Sequence, residues 1–162
     1  KKGTHLHLNI HYRLEGCLQR IKGTHRLRGL GLEDGGELME LWKIKEILKC
    51  QVLANEDKLN TKVGKICASE LMSNVLTCTG NNKLLITGLN NIQVIRTAEM
   101  SDIPAVIFVQ DKWPTADIIK LAEEKEIVVM HTHYSLFTVC GILYQAGLRS
   151  GQDCSWIEFA EV

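Results

Sequence analysis

From Met39 onward the chain repeats one pattern: a short apolar run, a polar break, then apolar residues at helical spacing. Lys65-Ile66-Cys67-Ala68, Leu84-Leu85-Ile86-Thr87, Ala105-Val106-Ile107-Phe108-Val109 and Ile127-Val128-Val129-Met130 are too short for helices. They are also too continuously apolar for strands with one face in water, so they predict a parallel sheet covered on both sides. Between them the spacing predicts a helix opened by Ser69 as N-cap and another capped at Asn90, with Gln93 completing a capping-box-like arrangement. A third helix runs from Asp117 to Glu124 after Pro114-Thr115. The last has Leu136, Phe137, Cys140, Leu143 and Tyr144 as its buried stripe and ends at Gly147. Ahead of these, Trp42, Ile44, Ile47 and Leu48 predict a short helix, and Gln51-Val52-Leu53-Ala54 a strand closed by Asn55-Glu56-Asp57. The expected fold is a three-layer α/β/α sandwich with a mostly parallel sheet, right-handed crossovers and one first strand free to pair antiparallel.

That architecture brings four loops to the carboxyl ends of the strands, where open α/β sheets hold their ligands. The loops carry Ser69, then Thr87, Gly88, Asn90 and Asn91, then Gln110-Asp111, then Thr132 and His133. Helix N-termini behind three of them would favour an anion by roughly 0.3–1 kcal/mol each. The expected ligand-binding residues are therefore Ser69, Thr87, Gly88, Asn90, Asn91, Thr132 and His133, with Ser69, Asn90 and Thr132 equally readable as helix caps. Trp113 is readable either as an aromatic contact at the crevice mouth or as a cover for a helix end.

Composition divides the chain near Met39. Residues 1–38 hold seven Lys/Arg against four Asp/Glu, seven of the thirteen glycines and four of the six histidines, although the whole chain has zero formal charge. Neither a helical nor a strand period persists there, and Lys2-Gly3-Thr4-His5 recurs only once, as Lys22-Gly23-Thr24-His25. Glu33-Asp34-Gly35-Gly36-Glu37 can be encoded by a purine-rich stretch like a bacterial ribosome-binding site just ahead of Met39. Residues 1–38 are thus expected to be disordered, or a leader not made in the cell, followed by one domain at 39–148 and a tail at 149–162. The basic leader lacks the aromatic interleaving of a nucleic-acid arm. No apolar run approaches the roughly 18 residues of a membrane span, and a cytoplasmic protein is expected.

The chemistry to be weighed is sparse. Six cysteines occur without a C-x-x-C pair, most beside aliphatic residues, so reduced structural thiols are expected. His131 and His133 could share one strand face, but zinc needs a further protein ligand, and none lies at motif spacing. A Cys–His nucleophile has no activating context, and no G-K-[ST] phosphate loop is present. Neither enzymatic activity nor a cofactor is expected. The alternative is a metal- or thiol-based redox sensor using His131, His133 and a cysteine.

Several separated blocks carry a family resemblance. Ala68-Ser69-Glu70-Leu71-Met72-Ser73-Asn74-Val75-Leu76, Leu84 to Leu89, Gln93 to Met100, Ala105 to Val109 and Cys140 to Tyr144 together resemble the DRTGG-domain family, over about Met39 to Leu148. The eponymous run is replaced by Asn60 to Ile66, and Glu70 and Asn74 stand where the family commonly has Asp. The resemblance implies a regulatory or accessory domain, related to the N-terminal domain of HPr kinase/phosphorylase and to the insert of CBS-domain pyrophosphatases, with catalysis residing elsewhere. It further implies a domain that is often dimeric, and the expected function is a homodimeric regulatory module that binds a nucleotide or other small anion at the strand ends, a partner protein, or both.

Overall fold

The structure is a computed structural model that describes residues 38–151. The expected leader up to residue 37, the tail beyond Gly151, and Cys17 and Cys154 lie outside the described residues. In chain order the elements begin with β1 (Met39–Glu40), α1 (Leu41–Leu48), β2 (Gln51–Ala54), β3 (Lys62–Val63) and β4 (Lys65–Ala68). They continue with α2 (Met72–Val75), β5 (Lys83–Thr87), α3 (Gln93–Met100), β6 (Ala105–Val109) and α4 (Ala116–Glu124). β7 (Val128–Thr132), α5 (Leu136–Gln145) and β8 (Arg149–Ser150) complete them.

Six strands form one sheet in the order β2-β7-β6-β5-β4-β8, and β1 pairs with β3 in a small antiparallel ladder. All neighbours in the large sheet are parallel except β2, which runs antiparallel to β7 with a register shift between Val52 and Ala54. The sheet extends past Leu148, because Arg149 and Ser150 pair with Lys65 and Ile66.

The two faces bury separate cores. Leu84, Ile86, Ile107, Val109 and Met130 point to the side covered by Ile44 and Leu48 of α1 and by Val139 and Leu143 of α5. Leu85, Val106, Phe108 and Val129 point to the side covered by Val75 of α2, Val94, Ile95 and Ala98 of α3, and Ile118 and Ala122 of α4. The steps β4-α2-β5-α3-β6-α4-β7 advance in one direction with their helices on one face. The return from β7 through α5 to β8 reverses direction and face together, which preserves one crossover hand. This is the expected three-layer α/β sandwich.

Several local expectations need correction. α2 is a four-residue helix starting at Met72, and Ser69 does not cap it: its hydroxyl accepts the Leu71 N–H at 3.1 Å in a turn before the helix. The α3 cap is Asn91, whose Oδ1 accepts the Gln93 N–H at 2.9 Å, while Asn90 donates to the Trp113 carbonyl at 2.7 Å. Ser135 caps α5 by accepting the Thr138 N–H at 3.2 Å. Thr132 instead donates to the Leu48 carbonyl at 2.8 Å and so latches the end of α1 to β7. On α5 the expected buried stripe is rotated: Val139 and Leu143 are buried, whereas Phe137 is 88% and Tyr144 64% exposed.

Candidate functional site

Strands β4 to β7 end together, and the path of each loop beyond them is set by how the last strand residue leaves the sheet. After β5, Thr87 is fully buried and its hydroxyl accepts the Leu89 N–H at 3.1 Å, which turns the chain sharply at Gly88. The Gly88 N–H points across to the loop after β4 and donates to Glu70 Oε1 at 2.8 Å, while the Thr87 hydroxyl reaches Oε2 at 3.5 Å. A side chain at position 88 would crowd this contact, since a Cβ there would lie 3.0 Å from Glu70 Oε1.

After β6 the backbone turns through Gln110, which has a φ of 64°. A left-handed residue is costly without glycine, and two hydrogen bonds hold it: Gln110 donates its N–H to the Tyr134 carbonyl at 3.0 Å, and its carbonyl meets His131 Nε2 at 2.7 Å. Because a carbonyl only accepts, Nε2 carries the proton. Trp113 then stacks on His131 with ring centroids 3.9 Å apart and 23° between planes, and Asn90 holds the Trp113 carbonyl from the neighbouring loop. His133 stands edge-on to both rings, at 5.1 Å from His131 and 6.0 Å from Trp113, and its Nδ1 lies 3.2 Å from Asp111 Oδ1.

The two histidines of the strand-to-helix corner thus differ in kind. His131 is buried, and loss of hydration lowers its pKa below the ordinary value, an effect larger than the opposing hydrogen bond to Gln110. His133 is exposed. Trp113 covers His131 with one face and remains 42% exposed, so it both closes the corner and borders the crevice.

Of the residues expected at the site, Thr87, Gly88, Asn90, Asn91, His133 and Ser69 all lie on the loops at these strand ends. Thr132 is buried and directed to Leu48, away from the others. Gln110, Asp111 and Trp113, expected on or beside these loops, meet His131 and His133 there, whereas Glu70 joins them through a contact between loops that no local spacing signals. Glu70 could have been suspected only from its position two residues past the end of β4.

Redox and metal chemistry find little here. Burial pushes the Cys50 thiol up to about 12 and raises Cys67 and Cys140 as well, so these thiols are protonated and poor nucleophiles at neutral pH. Among the described residues, no three His, Cys, Asp or Glu side chains are grouped to hold a metal ion. No helix of the described residues is long and apolar enough to cross a membrane.

A largely parallel three-layer sheet with polar loops gathered at its strand ends defines a small α/β module. The chain belongs to the DRTGG domain family, whose model matches residues 43–146. A solved structure with a similar fold is that of the CBS and DRTGG domains of the regulatory region of Clostridium perfringens pyrophosphatase, complexed with its activator diadenosine tetraphosphate. It is 17% identical, with a TM-score of 0.58 over 78% of this chain and 57% of that one, so this chain spans little more than half of the relative's solved length. No curated protein matches the sequence.

Proposed function

We propose that the domain is a non-catalytic regulatory module that binds a small anionic, nucleotide-like ligand in the crevice at the ends of β4 to β7. The observation that carries this reading is the Glu70–Gly88 contact: the loop after β5 already presents a main-chain N–H to an oxygen anion at 2.8 Å. A phosphate or carboxylate oxygen has the same acceptor chemistry and can replace the Glu70 side chain, which is exposed and free to swing outward. In this reading Thr87, Asn90, Asn91 and Ser69 join that donor in holding the ligand, His133 and Trp113 border it, and Thr132 supports the corner from behind. The solved relative, a regulatory region in complex with a dinucleotide, agrees with the class of ligand. We further propose that the domain acts as a cytoplasmic homodimer and passes ligand occupancy to a partner protein. Among the described residues, no group of ligating side chains favours the metal- or thiol-sensor reading.

Calorimetric titration of the full chain with ATP and with diadenosine tetraphosphate tests the ligand. Binding is expected for at least one, and Asn91→Asp should weaken it about tenfold, because it keeps the capping oxygen of α3 but adds a negative charge to the crevice. Absence of heat or thermal shift with both nucleotides would sink the proposal.

A further inference from the structure

Helix α5 has no charged side chain along any of its ten residues, Leu136–Gln145. Its inward side is accounted for by Val139 and Leu143, which are fully buried. Its outward side is not: Phe137 is the most exposed large apolar residue among those described, and Tyr144 lies further along the same line. A helix without a charged face is ordinarily a covered helix, and adjoining aromatic rings left in water are a cost that covering the face removes.

Positions 137, 141 and 144 fall on one stripe of the helix. Gly141 sits between the two rings, and a Cβ built there would meet nothing within 4 Å, so the stripe reads knob, notch, knob. Just past the notch, Tyr144 forms one wall of a groove of about 210 Å³, lined also by Ile66, Ala68, Cys140, Leu148 and Arg149.

We propose that this face joins two copies of the chain, the two α5 helices crossing antiparallel on a two-fold axis beside Gly141. This rests on the homodimer reading above and gives it a surface. An axis at position 141 sets Phe137 of one copy against positions 144 and 145 of the other, which is where the groove opens. By symmetry the second Phe137 fills the first groove, the reciprocal pairing an isologous contact requires.

Area and charge both select a second copy as the occupant. Half of a standard interface covers about 800 Å², somewhat over half of it apolar. At their observed exposures Phe137 and Tyr144 supply roughly 300 Å² of that before the groove walls are counted. The helix brings no charge to oppose its own copy. Arg149, which lines the groove, is engaged by the Tyr144 ring at 4.6 Å and donates to the Tyr144 and Leu148 carbonyls at 3.2 and 2.9 Å.

Sedimentation equilibrium of the full chain tests this, with Phe137→Glu and Gly141→Glu as variants. Both positions are exposed, so unchanged circular dichroism is expected together with dimerisation weakened at least tenfold. In a Cys140→Ser background, Gly141→Cys should form an intermolecular disulfide under mild oxidation. A dimer of unchanged affinity in both charge variants would overturn this interface and leave the homodimer reading intact. A monomeric wild type would overturn both. A monomer that Phe137→Glu destabilises would point to cover by the chain's own ends, and would likewise overturn the proposal.

Discussion

Helices α3 and α4 on one face and α5 on the other do the same work inward and opposite work outward. On one face, α3 and α4 bury Val94, Ile95, Ala98, Ile118 and Ala122 and turn Arg96, Glu99, Asp117, Lys120, Glu123 and Glu124 to solvent. Lys125 reaches back from the end of α4 to Glu99 at 2.8 Å, so that layer is finished by charge and water. On the other face, α5 buries Val139 and Leu143 as completely, yet it turns Phe137 and Tyr144 outward with no charge among them. Burial of the inner stripe stabilises the fold on both faces; the outer stripe is where the two differ.

Breaking the inner stripes should show them equal. Phe108→Ala, beneath α3 and α4, is expected to cost about 3–5 kcal/mol, and Leu143→Ala on α5 about 2–5 kcal/mol, since both side chains are fully buried. Urea denaturation of each variant measures this, and a Leu143→Ala cost below about 1 kcal/mol would mean that α5 is not docked as described.

A smaller effect should appear on acidification, and on one face alone. His131 faces the α3–α4 side beneath Trp113, and burial lowers its pKa. As pH falls, the unfolded chain takes up the proton first, near 6.5, while the folded chain resists. This contribution to stability is therefore complete above pH 6.5 and declines below it until the lowered folded value is reached. Melting temperatures between neutral and mildly acidic pH should fall for the wild type and fall less for His131→Phe; parallel curves would remove His131 as the cause.

The smallest effect belongs to the charged surface. Glu99→Gln should change stability by less than about 1 kcal/mol, and any difference should fade in high salt, because both partners of the Lys125–Glu99 pair are substantially exposed. A larger, salt-independent loss would mean that the charged layer is held together by more than solvated pairs.

The sequence disclosed those parts of the molecule whose physical signal is local. β5, β6 and β7 were legible because a strand buried on both faces must be apolar throughout, and the gathering of their following loops at one end was legible because parallel strands must end together. The orientation of α5 was not legible: in Leu136-Phe137-Thr138-Val139-Cys140-Gly141-Ile142-Leu143-Tyr144 apolar residues occupy every side, so periodicity has no polar face against which to register. The choice between Asn90 and Asn91 as cap was hidden for another reason. Either amide could close the helix, and the decision falls to the Trp113 carbonyl, a partner 23 residues away that claims Asn90. The contact of Glu70 with Gly88, and the stacking of Trp113 on His131, were hidden in the same way, since they join loops that meet only after the sheet has formed.

The pairing of β2 with β7 also sets an order in time. The central strands pair with their sequence neighbours, Lys65 with Lys83, Leu84 with Ala105 and Ala105 with Val128. Gln51 must wait for His131, and the Asn55 amide that fastens this edge binds the carbonyls of Ala122 and Ile127, at 3.0 and 2.8 Å. Closing so long a loop costs entropy before any contact rewards it. On a ribosome, the first strand of the sheet to be synthesised is thus kept without its partner until the fifth has emerged, and a pause in between would leave an unpaired edge open to the wrong neighbour.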